Sequence, residues 1–252
     1  MSVTTEDVNN YFFDSSYKDV WRHIIPEALT HAETDFILDI AGLDKGNRVL
    51  DLMCGYGRHS IELAKNGIEV TSIDNLKEYI EEIKRIASAT CLSIYAAQAN
   101  VLDWESNNQF DAVICMGNSF SFFNKEQTAK LLYKISNLLV PGGILLINSW
   151  MIAEIAIRYF KDKEWYYTGE YKCIIENEYK FLPSRIVTEQ TIIANDGTSE
   201  VLKGIDYIFT LDELEGMLKE AGLKTKELYA TPRKKKFLLG DARIYIVAEK
   251  IK

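Results

Sequence analysis

The chain has 252 residues, of which 47% are hydrophobic and 26% charged, a globular balance that excludes collagen, coiled coil and disorder. Its formal net charge of −8 argues against a broad nucleic-acid surface, which calls for a basic face, but leaves a small anionic ligand open. The four scattered cysteines (Cys54, Cys91, Cys115, Cys173) form no CxxC pair, so they read as reduced thiols rather than a zinc or redox site.

The opening MSVTTEDVNN has neither the basic end nor the apolar run of a signal peptide, and no stretch is long and apolar enough to span a membrane. A soluble, cytoplasmic protein is expected. Apolar residues from Tyr11 to Ile25 recur at helical spacing, Pro26 interrupts, and a second helical segment runs from about Thr30 to Leu43. Short apolar runs then alternate with amphipathic stretches. Strands are predicted at Arg48–Met53, Ile68–Ile73, Leu92–Ala97, Phe110–Met116 and Ile144–Ile147. Helices are predicted at His59–Asn66, Leu76–Ala89 and Lys125–Leu139, and Pro141-Gly142-Gly143 reads as the turn before the fifth strand.

The rhythm changes after residue 150. From about Trp165 to Phe209 the chain is rich in Tyr, Ile, Val and Thr, and Asn195-Asp196-Gly197 marks a hairpin, which predicts an antiparallel excursion of three or so strands. Thr210 and Glu213 form a capping box for a helix ending at Gly222, and strands follow at about Lys224–Ala230 and Ile244–Glu249. The whole reads as one α/β domain over 1–252: a doubly wound, Rossmann-like, mostly parallel seven-stranded sheet with an antiparallel β element inserted after the fifth strand. Its parts are an N-terminal helical lid (1–45), a ligand-binding core (46–150), the insertion (160–210) and a C-terminal helix with strands (211–252).

The most informative stretch is VLDLMCGYGRHS, residues 49–60, which leaves a strand and enters a helix around Gly55 and Gly57. Asp51 precedes the glycines. A carboxylate there repels a pyrophosphate and favours a cation, and Ser60 stands where a dinucleotide pattern wants its third glycine, so a nicotinamide dinucleotide fits poorly. The ligand these residues favour is nucleoside-like, phosphate-free and positively charged, a description that S-adenosylmethionine fits. Asp74 ends the second strand, where an acid accepts hydrogen bonds from ribose hydroxyls or caps the next helix, two compatible roles.

In order, VLDLMCGYGRHS, VTSIDN, QANVLDW, FDAVICMGNSFSFF and LLVPGGILLINSW resemble the motifs of class I S-adenosylmethionine-dependent methyltransferases over about residues 35–150. FDAVICMGNSF is similar to glycine N-methyltransferase and to small bacterial small-molecule methyltransferases. The resemblance implies S-adenosylmethionine as cofactor. It implies that Asp51, Gly55 and Gly57 hold its methionine end, that Asp74 with neighbouring Asn75 takes the ribose, and that Asn100 and Val101 meet the adenine. Met116, Gly117 and Asn118 would line the cofactor. The chain departs from the family at Met53, which stands where glycine is usual and is expected to press on the cofactor or narrow the pocket.

Substrate-facing candidates follow from the rule that ligands of open parallel sheets sit at the carboxyl ends of strands: Ser119, Trp150 and, from the insertion, Tyr207. Tyr11 and Tyr17 are candidates for a lid over the cofactor. The insertion's aromatic residues either cover a substrate or form a homodimer interface. His23, His31 and His59 read as structural or solvated, and Arg233–Lys236 as a solvated loop. The expected activity is methyl transfer to a nitrogen or oxygen of a small molecule, with no nucleic-acid, membrane or metal partner. The alternatives are a non-catalytic cofactor-binding module and a peptide or RNA methyltransferase.

Overall fold

The computed structural model describes residues 9, 12–13 and 16–251, so Tyr11 lies outside the described residues. Two N-terminal helices, α1 (Tyr17–Ile24) and α2 (Glu27–Ala41), precede the alternating core. Pro26 separates them because it has no N–H to continue α1 but is tolerated at the start of α2. The core runs β1 (Arg48–Leu52), α3 (Arg58–Lys65), β2 (Glu69–Asp74), α4 (Lys77–Thr90), β3 (Ile94–Gln98), β4 (Phe110–Cys115), α5 (Lys125–Leu138) and β5 (Leu139–Ser149). A short helix α6 (Ala153–Ala156) leads to β6 (Lys163–Thr168), β7 (Tyr171–Phe181), β8 (Ser184–Ala194) and β9 (Ser199–Tyr207). The chain closes with α7 (Leu211–Glu220), β10 (Leu223–Tyr229) and β11 (Ile244–Lys250).

The seven-stranded sheet has the order β10-β11-β5-β4-β1-β2-β3. β1 to β5 pair in parallel, whereas β11 pairs antiparallel with both β5 and β10. Successive residues of the central strands face opposite sides. Leu50, Leu52 and Val113 join one apolar cluster with α5 and α7, while Val49, Ala112 and Ile114 join another with α2 and α3. A sheet buried on both faces explains why its strands read as continuous apolar runs. Each fully buried Leu or Ile contributes about 1.5–3 kcal/mol.

Strand order reverses between β1 and β4, so the loops after these two strands diverge and leave a crevice at their carboxyl ends. β5 starts earlier than predicted. Leu139 already pairs with Phe110, the Pro-Gly-Gly segment bulges out, and the ladder resumes with Ile144 opposite Ala112. The insertion has four strands rather than three or so, in the order β6-β7-β8-β9. The additional strand is the edge strand β6, joined to β7 by a turn at Gly169 that lacks the Asn-Asp-Gly signature of the β8–β9 hairpin. Its inner face packs on α1 through Val20, Cys173 and Ile192. No helix among the described residues is long and apolar enough to cross a membrane.

Candidate functional site

The loops after β1, β2, β3 and β4, the N-terminal segment and Tyr207 together line one cavity of about 180 Å³. At roughly 10–15 Å³ per water position, this space suits an organic ligand rather than a few waters.

Asp74, at the end of β2, staples the turn after β1. One carboxylate oxygen accepts from the Gly55 N–H at 2.8 Å and the other from the Leu76 N–H at 3.0 Å. Burial raises its carboxyl, while the N–H groups of Leu76, Gly55 and Asn75 act against that rise. Asp51 is 1% exposed and lies opposite Ser72 in the β1–β2 register. Ser60 donates to its carboxylate at 2.6 Å, and Ser72 donates to Ser60 at 2.8 Å. Burial pushes the Asp51 carboxyl up to about 7, the nearby Asp74 charge adds to this, and the Ser60 hydrogen bond and the Arg58 charge oppose it. Among the described residues no cation is ion-paired to Asp51. A lone acid in a cavity wall, held near its ionisation point, attracts a positively charged ligand.

The two loop glycines have different neighbours. Gly55 has φ +56°, and an added Cβ there would project into open space beside the cavity. Gly57 has φ +77° at the start of α3, and a Cβ would lie 2.6 Å from Cγ1 of Ile83. Gly57 is outside the cavity lining; its small size lets α4 pack against the loop. Met53 has φ +52°, unusual for a side-chain-bearing residue. Its thioether packs on the core while lining the cavity, which offsets part of that strain.

At the other edges, Asn75, Asn100, Val101, Met116 and Ser119 line the cavity. The Asn100 side-chain oxygen accepts from the Leu102 N–H at 2.9 Å. Asn118 does not reach the lining. Its amide nitrogen donates to Asp206 at 3.0 Å and its oxygen accepts from Ser149 at 2.8 Å, so it joins β4, β5 and β9 behind the wall. Ser121 also donates to Asp206, whose carboxyl burial pushes up to about 6 despite these two hydrogen bonds. Trp150 likewise stands behind, its ring 6.0 Å from that of Trp21.

The N-terminal segment supplies one side of the cavity wall. Phe13, Tyr17 and Trp21 line the cavity. Tyr17 stacks on Trp21 at 6.0 Å, and burial pushes the Tyr17 phenol well up, keeping it neutral. Tyr79 on α4 donates to the Phe13 carbonyl at 2.7 Å, and the Asn9 side chain both donates to and accepts from the backbone of Ile205 on β9.

One cluster has no counterpart in the sequence reading. Glu33 on α2 is fully buried and meets Arg58 at 2.6 Å, His59 at 3.0 Å and Tyr245 at 2.7 Å. Burial alone would raise its carboxyl, but the His59 hydrogen bond and the positive charges around it hold it down at about 2. Burial and the Arg58 charge lower His59 to about 4, so its neutral ring donates to Glu33. His59 is therefore a structural donor in the wall. The only local sequence signal was Arg58-His59 after the glycine loop; their partner lies 25 or more positions away in sequence.

Residues 49–143 match the family described as a methyltransferase domain. A glycine/sarcosine N-methyltransferase from Aphanothece halophytica is 31% identical over 158 residues, covering 60% of this chain and 58% of that protein. The glycine N-methyltransferase of Rattus norvegicus is 28% identical over 164 residues, covering 59% of this chain and 56% of that protein. The alignments thus take in little more than half of these relatives' lengths. Among solved structures, an S-adenosylmethionine-dependent methyltransferase from Clostridium acetobutylicum superposes with a TM-score of 0.81 at 18% identity, covering 94% of this chain and 96% of that one. The CcbJ methyltransferase from Streptomyces caelestis also gives 0.81, at 16% identity and 99% coverage of both chains. At such identities the likeness establishes the shared fold.

Proposed function

Taking as its premise that the chain belongs to the class I S-adenosylmethionine-dependent methyltransferases, we propose that it methylates a nitrogen atom of a small molecule. The observation that carries this reading is Asp51, a buried acid without an ion pair in a cavity edged by Gly55 and Asp74. Its carboxylate complements the positive charge of the cofactor, and the space beside Gly55, which a Cβ would fill, admits the methionine end. Asp74 retains acceptor lone pairs for ribose hydroxyls beyond those used on Gly55 and Leu76. Asn75 would border the same sugar and Val101 would face the adenine, while Asn100, whose side-chain oxygen already accepts from the Leu102 N–H, would offer the adenine its amide NH₂.

The cofactor supplies a sulfonium-activated methyl carbon for in-line displacement. The protein's own task is to align and to exclude water. Met53, Met116, Gly117, Tyr17 and Trp21 line the cavity and would wall the reacting centre. A neutral amine held in this cavity would need no protein base, because its own lone pair is the nucleophile and its surplus proton can leave to water. The relatives' names as N-methyltransferases support nitrogen over oxygen, and a cavity of about 180 Å³ suits a small acceptor better than a polymer.

Calorimetric titration with S-adenosylhomocysteine tests the cofactor half of the reading. Binding in the micromolar range is expected, with a loss of at least about tenfold in Asp51→Asn. No heat or thermal shift at millimolar ligand would refute it. Transfer of labelled methyl groups from S-adenosylmethionine to a panel of amines tests the rest.

A further inference from the structure

The charges on the cavity wall are unevenly placed. Among the described lining residues, the carboxylates and guanidinium are those of Asp51 on β1, Asp74 at the end of β2 and Arg58 at the start of α3, on the side where the cofactor reading needs them. Arg58 is already committed to Glu33. The lid side is built instead from Phe13, Tyr17, Trp21, Phe122 and Tyr207, with Ser119 as a small hydroxyl.

Cations near the lid lie outside the lining, and each already has acidic company. Arg22 pairs with Glu82 over the Tyr56 ring, and Lys18 lies 3.7 Å from the same Glu82. Arg243 covers Trp150 at 5.2 Å and lies 3.8 Å from Glu33. The charged group behind this wall is an acid, Asp206, bound by Asn118 and Ser121. A carboxylate or phosphate entering under the lid would find aromatic faces, no free cation, and a negative charge nearby. An amine on an apolar body would find the reverse, since ring faces attract ammonium groups and shed water from hydrocarbon.

We propose that the acceptor is an amine on an uncharged ring or hydrocarbon body, with no carboxylate or phosphate beside the reacting nitrogen. This rests on the methyltransferase reading and narrows it: free amino acids, glycine included, are poor acceptors for this chain. Asp206 attracts the incoming ammonium at a distance, and the amine attacks after losing that proton to solvent.

Matched pairs that differ by one carboxylate test the idea on the full chain saturated with S-adenosylhomocysteine. Benzylamine is titrated against phenylglycine, 2-phenylethylamine against phenylalanine, and methylamine against glycine. The ring amines should bind at least about tenfold more tightly than their carboxylate partners, and about tenfold more tightly than methylamine. Tighter binding of phenylglycine, phenylalanine or glycine than of the matching amine overturns the proposal, and so does no binding of either ring amine. Saturation with S-adenosylhomocysteine is measured first. If it fails, the cofactor reading falls and takes this proposal with it; if it succeeds and only the amino acids bind, the cofactor reading stands alone.

Discussion

A methyl group added at Gly57 would sit 2.6 Å from a side chain that is itself fully buried, Ile83, so neither partner can yield cheaply. Gly57→Ala should lower stability by about 2 kcal/mol through crowding and left-handed strain, read as a drop in Tm. Gly55→Ala carries only the strain, about 1 kcal/mol, because its Cβ meets nothing within 4 Å. It should instead weaken S-adenosylhomocysteine binding by at least about tenfold, since the methyl occupies ligand space. The sequence marked both glycines alike, because Gly-x-Gly records backbone freedom and not what lies beyond the missing side chain. Asp51 yields a pH test. A cationic ligand needs its ionised form, and its carboxyl is raised to about 7, so Kd should be flat above pH 7 and climb by up to about tenfold per unit below it. Asp51→Asn should remove that slope, as calorimetry at several pH values will register.

At the scale of elements, the first helix was legible in the sequence and its packing partner was not. Helical spacing around Tyr17 and Val20 announces an apolar face, but that face could equally have met the main sheet. The structure sets it on the inserted sheet, against Cys173 and Ile192. Gly204 on β9 shows how close the contact is, for a Cβ there would lie 2.9 Å from the Phe12 ring. Asn9 ties the N-terminal segment to β9, because its amide satisfies both the N–H and the carbonyl of Ile205. Asn9→Ala should leave those backbone groups to water, speed proteolysis of the N-terminal segment and raise the Kd for S-adenosylhomocysteine several-fold. Unchanged protease sensitivity would argue that the lid is held elsewhere. By contrast, the two capping boxes of α5 and α7 and the Asn195-Asp196-Gly197 hairpin are local devices. Only the Thr210 box and the hairpin were read from the sequence, and the Asn124–Gln127 box that starts α5 completes the set.

Across the whole molecule, buried charge ties the parts together. Glu33 joins α2, α3 and β11, and Glu33→Gln should cost about 3–5 kcal/mol by leaving Arg58 without its counter-charge, measurable by urea denaturation. Its carboxyl is depressed from 4.5 to about 2, so its contribution to stability is complete above pH 4.5 and is lost as pH falls toward 2. Asp51 and Asp206 behave oppositely. Raised from 3.8 to about 7 and about 6, they favour the fold fully below pH 3.8, and that contribution is lost as pH rises through those values. The ligand-free protein should therefore melt highest in mildly acidic buffer. S-adenosylhomocysteine should raise Tm more at pH 8 than at pH 5.5, because the ammonium group of its amino-acid end offsets the charge of Asp51 at the higher pH only.

The sequence by itself determined the alternation of strands and helices, the glycine loop between Asp51 and Asp74, and the change to antiparallel structure after residue 150. Each is written in neighbouring residues through periodicity, turn chemistry and spacing along one strand. Tertiary structure alone decided that Asn118 and Trp150 stand behind the cavity wall, that Glu33 anchors Arg58 and His59, and that, among the described residues, Phe13, Tyr17 and Trp21 line the cavity without a cation beside them in the lining. Those outcomes depend on groups brought together from distant parts of the chain, up to 212 positions apart for Glu33 and Tyr245, and no local pattern encodes which of them will meet.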